Sequence, residues 1–215
     1  MEMSEDTGLH GEDMAEPKDG RTTETRQLIL KEAERLYYVG GYEKISLQVV
    51  ADQLGISKAA LFHHFKNKQE IFFEMLFHIV ENMRRMFAEA VHGESISTRE
   101  KLRNIMLRWS QEPTFDVMRF LREDYFQLTV EQQRTIGEAW HMRTLSVIKD
   151  VFAEGIERGE LKPHDTSLSA NLFLNMCILL PHPDNPLRHV MGHTNLAEHT
   201  DKMLSMLLDG LATHV

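Results

Sequence analysis

One cysteine, Cys177, stands among 215 residues, so the chain cannot close an intramolecular disulfide, and this scarcity points to a reducing compartment. No apolar run approaches the ~20 residues that a membrane-spanning helix needs. The first twenty residues are acidic and polar, without the apolar stretch of a secretory leader. A cytoplasmic protein with no membrane partner is the expectation. No segment alternates between apolar and polar residues at period two, and no internal repeat is visible, which leaves an all-α fold. The sequence also has no glycine-rich phosphate loop, no nucleophile elbow and no metalloprotease motif. Carboxylates scattered along helices belong on surfaces, so an enzyme is not expected and no cofactor is implied. Proline is scarce too. Three of the six fall in Pro181-His182-Pro183-Asp184-Asn185-Pro186, a stretch that cannot be helical.

What is present is unevenly charged. The formal net charge is -9, yet residues 21–70 hold eight Lys/Arg against six Asp/Glu. Residues 1–20 hold seven acidic residues and one lysine. Contact with phosphate needs a local basic face, not a basic protein. The composition predicts a disordered acidic tail over 1–20, a small module over 21–70 and a larger helical unit over 71–215.

Apolar residues recur at helical spacing from Thr23 to Val39 and again from Gln69 to Val91. Further helices are expected at 98–111, 114–128, 129–159, 166–180 and 196–211. In the first of these, Leu102, Ile105, Met106 and Trp109 face inward while Lys101 and Arg103 face outward.

Residues 46–70, SLQVVADQLGISKAALFHHFKNKQE, are the most informative segment. Ser46 caps a short helix that buries Leu47, Val50, Ala51 and Leu54. Gly55 ends it, because the left-handed conformation needed there costs glycine nothing. Ile56 plugs the turn, and Ser57 caps a second helix from Lys58 to His64. A helix, a glycine turn and a second helix form a DNA-binding pattern whose second helix enters the major groove. The run Leu61-Phe62-His63-His64-Phe65 and the following Asn67-Lys68-Gln69-Glu70 cap resemble the TetR family of bacterial transcriptional regulators. The resemblance extends upstream through residues 24–45 and the Gly40-Gly41-Tyr42 turn. It covers residues 22–70, and beyond residue 75 only the helical character matches.

Lys58 can donate to guanine, Ala59 and Ala60 permit close approach to thymine methyls, and His63 can donate or accept. Ser46, His64 and Lys68 are phosphate candidates, Lys68 beside a helix N-terminus, and Ser57 is counted with the DNA-facing residues. Phe62 stands where the family usually carries a tyrosine that bonds a phosphate. Phenylalanine has no hydroxyl, so that contact is in doubt. For His63 and His64 an ordinary exposed or packed imidazole remains the alternative.

The resemblance implies a repressor that binds palindromic operator DNA as a homodimer. Its last two helices would form the interface, and a small apolar or acidic effector would release it. Residues 168–180 are apolar nearly all round and must be covered on more than one side; service to the monomer core alone is the alternative. Met106, Trp109, Phe115, Met118, Tyr125, Trp140, Phe173 and Met176 are lining candidates for the effector. Thirteen methionines suit such an adaptable interior. Arg119, Arg122 and His141 are candidates for an acidic head group, and Asn171 and Asn175 lie one turn apart on one face.

Two other readings stay open. His182, His189, His193 and His199 invite a metal sensor, although no cysteine or close acidic ligand completes a set. A dimeric interaction protein with weakened DNA binding is the other.

Overall fold

The structure is a computed structural model that describes residues 18–93, 96–111, 115–180 and 195–209. Among these there is no β-strand, and the fold is all-helical. Helix α1 (Lys18–Gly40) ends at Gly41, whose φ of 76° turns the chain into a 3-10 turn at Tyr42–Lys44. Helices α2 (Leu47–Leu54) and α3 (Lys58–His64) follow, then the long α4 (Lys68–Ala90). Helix α5 spans Thr98–Trp109, closed at its start by a reciprocal Ser97–Glu100 capping box. Helix α6 (Val117–Arg119) continues as a π-turn, Phe120–Asp124, and a 3-10 turn, Tyr125–Gln127. Helices α7 (Val130–Ala139) and α8 (Ser146–Glu157) run together through a π-turn at Trp140–Leu145. Helices α9 (Thr166–Leu179) and α10 (Leu196–Leu208) complete the described chain.

Two apolar clusters hold these helices, and α4 threads both. The first takes Ile29, Ala33 and Tyr37 from α1, Leu61 and Phe65 from the α3 region, and Ile71, Phe72 and Met75 from α4. It also takes Phe120, Leu128 and Ile136, so the α6–α7 region packs directly on the N-terminal helices. The second cluster gathers Phe87 with α5, α8, α9 and α10. Met83 touches both. A shift of α4 is therefore felt at both ends of the molecule.

Three expectations change. Of the helix expected over 114–128, the described residues 115–128 do not form one regular helix, because the chain tightens and widens through the π- and 3-10 turns to carry Asp124 inward. Lys101 is not on the outer face: it is 8% exposed, and its ammonium pairs with Glu154 on α8. Its apolar stem can lie inside the bundle while the charge finds a partner. Helix α1 begins at Lys18, three residues inside the stretch assigned to the acidic tail; residues 1–17 lie outside the described residues. The last helix is described to Leu208, and 210–215 also lie outside.

Candidate nucleic-acid interface

The α2–α3 pair is built by its caps. Ser46 Oγ accepts from the Val49 N–H, and Gly55 takes φ 64° to end α2. Ser57 Oγ accepts from the Ala60 N–H at 3.1 Å and starts α3. Both hydroxyl protons remain available as donors, so capping and phosphate contact are compatible at Ser46 and Ser57. Leu61 and Phe65 are buried and fix α3 against the first cluster. That anchoring turns Lys58, Ala59, Ala60, Phe62 and His63 outward, all exposed, with His64 half-buried.

Phe62 is 43% exposed, an unusual position for a large ring with no polar atom. Lys58 Nζ lies 5.9 Å from its centroid. The rings of His63 and His64 stand 5.7 Å apart, edge to face. Partial burial holds the His64 imidazole below its usual pKa, and the neighbouring His63 and Arg26 lower it further.

Asn67 caps α4 by accepting from the Glu70 N–H at 2.9 Å, and the Glu70 carboxylate accepts from the Lys66 N–H at 2.6 Å. Lys68, the first residue of α4, places its ammonium 4.0 Å over the Tyr42 ring. The start of α4 and the Tyr42–Lys44 turn thus meet. Lys44 and Lys66, both exposed, extend the same surface. Sequence reasoning counted them in the local charge without assigning them a role.

The N-terminal helices are tied to the α6 region through Asp124, which is only 5% exposed. Tyr37 Oη donates to Asp124 Oδ2 at 2.9 Å, and the Tyr42 N–H donates to Oδ1 at 3.2 Å. Arg119 Nη2 donates to the Tyr37 carbonyl at 3.1 Å, with its guanidinium 5.2 Å from the Tyr37 ring centroid. Burial, then the hydrogen bond to Asp124 and its charge, push the Tyr37 phenol far above its usual range, so it remains a neutral donor. A side chain at Gly41 would meet the Asp124 carboxylate at 3.1 Å, so glycine suits both the turn and the close approach. Gln69 adds a second tie, donating to the Gln127 carbonyl at 2.5 Å.

The effector candidates do not converge on one cavity. Met106 and Phe173 are wholly buried in the second cluster, with Trp140 and Met176 packed on it. Tyr125 packs on the first cluster, edge-on to Phe120. Met118 and His141 are exposed, and Arg122 is spent on Glu123 at 2.9 Å. Asn171 and Asn175 are exposed, and each donates back to its own helix, to Ser167 O and Asn171 O. Trp109 and Phe115 differ from these candidates in lining a cleft of about 650 Å³ beside α1 and α4.

No group of three or more His, Cys, Asp or Glu is placed to hold a metal among the described residues, and His182, His189 and His193 lie outside them. No described helix is long and apolar enough to cross a membrane.

Residues 29–75 match the profile of the family described as bacterial regulatory proteins, tetR family. The chain belongs to the TetR family of transcriptional regulators. It is similar to the HTH-type transcriptional regulator YhgD of Bacillus subtilis, 25% identical over 164 residues, which span 72% of this chain and 81% of that one. The solved TetR-family regulator PfmR from Thermus thermophilus is 27% identical, with a TM-score of 0.61 over 86% of this chain and 99% of the other. FadR from Bacillus subtilis, solved in complex with stearoyl-CoA, is 18% identical and shares the fold, with a TM-score of 0.64 over 86% of this chain and 98% of that one. The regulator is accordingly a DNA-binding, non-enzymatic member of its family. Its helix-turn-helix is the α2–α3 pair.

Proposed function

We propose that this regulator is a repressor that binds palindromic operator DNA as a homodimer and is released by a small effector. In this reading residues 21–70 form the DNA-binding domain and 71–215 the effector-binding and dimerisation domain. The observation that carries it is the placement of α3: Leu61 and Phe65 are sunk in the core while Lys58, Ala59, Ala60, Phe62 and His63 face outward. Lys58 is suited to guanine, and the exposed Phe62 ring offers apolar contact to thymine methyls or sugars where a hydroxyl would otherwise seek phosphate. Ser46, Ser57, His64 and Lys68, with Lys44 and Lys66 beside them, supply phosphate contacts.

A dimer is supported by α9, which leaves Leu168, Asn171, Leu172 and Asn175 exposed at helical spacing. This stripe is the side of the apolar 168–180 run that the monomer does not cover. Met206 on α10 is exposed as well. An effector with an apolar body and an acidic group fits the reading, and the fold relative bound to stearoyl-CoA carries a ligand of that kind.

The test is selection from random duplex DNA by the full-length protein, followed by anisotropy titration of the winners. A palindrome with half-sites about one helical turn apart supports the reading. Enrichment of no sequence would refute it.

A further inference from the structure

We propose that the cleft between α1, α4 and α5 binds an amphipathic anion, an alkyl chain ending in a carboxylate or phosphate, and that its occupation changes the separation of α1 from α4. This deepens the effector part of the proposed function and rests on it. The cleft's volume, about 650 Å³, lies within the usual range for small-molecule sites.

Its rim is cationic in a protein that is acidic overall. Lys31 and Arg35 from α1, Arg85 from α4 and Arg108 from α5 line it, against the carboxylates of Glu34 and Glu89. Glu34 is engaged by His78 at 2.8 Å, and two of the four cations are already paired, Arg108 with Glu89 at 3.8 Å and Arg35 with Glu32 at 2.7 Å. Lys31 and Arg85, the latter oriented by the neutral Asn82 at 2.6 Å, are the charges offered to an anionic head group, with the Arg35 guanidinium held beside them. The floor is different in kind. Met83, Met86, Trp109 and Phe115 present thioethers and aromatic faces, which accept a flexible alkyl chain without demanding one shape.

The position of the cleft supplies the coupling. One wall is α1, which carries the DNA-binding helices, and another is α4, which threads both apolar clusters. Phe115 lines the cleft and also stacks on Tyr37, with centroids 5.7 Å apart at 19°. Tyr37 in turn donates to Asp124. A ligand seated against Phe115 therefore presses on the side chain that joins α1 to the α6 region. A ligand shifts an equilibrium only through differential affinity for its states, and a site walled by both moving helices has that property.

The reporter is built in. Of the two tryptophans, Trp109 lines the cleft and Trp140 does not. Full-length Trp140→Phe protein should be titrated with dodecanoate, dodecyl phosphate, dodecanol and dodecyltrimethylammonium, each below its micelle concentration. The expected result is a saturable change in Trp109 emission with one or both anions. Dodecanol should bind at least tenfold more weakly, and the cation should give no saturable response. Preference for carboxylate over phosphate, or the reverse, identifies the head group. Arg35→Glu and Arg85→Glu alter exposed side chains, and each should weaken anion binding at least fivefold without changing the thermal melt. Equal affinity for dodecanol and the anions, unchanged affinity in both variants, or no Trp109 response to any probe would overturn the site, whether or not the protein binds DNA. Adding the better anion to the operator complex tests the other half. Release supports the coupling, whereas a bound anion that leaves the complex intact overturns the coupling and retains the site.

Discussion

Lys58 and Lys68 carry the same charge and should behave differently when removed. In the proposed reading Lys58 projects from α3 toward base edges, whereas Lys68 opens α4 above the Tyr42 ring and is assigned to phosphate. Lys68→Ala should weaken binding to every sequence and lower the salt slope by about 0.9, the signature of one lost phosphate contact. Lys58→Ala should instead relax base preference, at a cost of about 1–3 kcal/mol for a bidentate contact to guanine. Anisotropy at several salt concentrations, on operator and on scrambled DNA, separates the two; identical behaviour of the variants would show that the two positions are misassigned. His64 gives a pH test. Burial, His63 and Arg26 hold its pKa below the usual histidine value in the free protein, so it is neutral at pH 7. A phosphate beside it in the complex favours the imidazolium, so binding takes up a proton and affinity should rise as pH falls from 7.5 toward 6. The same depressed pKa means the unfolded chain binds that proton more readily, so fold stability declines as pH drops below the unfolded value. The affinity gain therefore belongs to the mildly acid window, and His64→Gln should flatten it. A wild-type affinity independent of pH would remove His64 from the phosphate contacts.

Between elements, the bonds at Asp124 link the DNA-binding helices to the rest of the chain. Asp124→Ala leaves the Tyr37 hydroxyl buried without its acceptor, a loss of about 1–3 kcal/mol. Tyr37→Phe removes the donor and leaves the carboxylate to the Tyr42 N–H and to the Arg119 guanidinium 3.9 Å away. The double variant should lose less than the sum of the two, with a coupling of about 0.5–3 kcal/mol by urea unfolding. Strict additivity would mean that this bond ties nothing together. This link also marks where the sequence stops being legible. Ser46, Gly55, Ser57, Asn67 and Glu70 announce the α2–α4 boundaries because caps act on amides two to four residues away, and each cap forms as its residue type suggests. The 114–128 segment reads as a single helix because its deformation answers a partner more than eighty residues distant, Tyr37. Lys101 misleads for the same reason: its ion-pair partner, Glu154, lies on another helix. The effector list divides because a methionine or phenylalanine looks alike in sequence whether it fills a core, as Met106 and Phe173 do, or lines a cleft, as Phe115 does.

For the whole molecule, reading a palindrome requires two copies of α3 held about one DNA turn apart, which one chain cannot supply. In the proposed dimer the α9 stripe takes that task; there Leu168 is 58% and Leu172 49% exposed, while Phe173 and Cys177 on the same helix are fully buried. Two large leucines exposed a turn apart, interleaved with Asn171 and Asn175, make a mixed face suited to cover by a partner. Leu172→Glu puts a charge at the centre of the stripe without touching the side chains that form the monomer core. Because the side chain already faces solvent in the single chain, monomer stability should change by only about 0.5 kcal/mol. Across a two-fold interface the same substitution places two buried, like charges opposite each other, which costs several kcal/mol. Sedimentation equilibrium should therefore find a dimer for the wild type and a monomer for Leu172→Glu at the same concentration, with matching circular dichroism. The variant should lose its preference for the full palindrome over a half-site, since each α3 still reads its own few base pairs but no longer gains from the second. Arg99→Glu, at a site on α5 already engaged with α10 through Ser205 and Asp209, probes the alternative that loosening the monomer alone disrupts assembly. A Leu172→Glu protein that stays dimeric and keeps its palindrome preference would place the interface elsewhere.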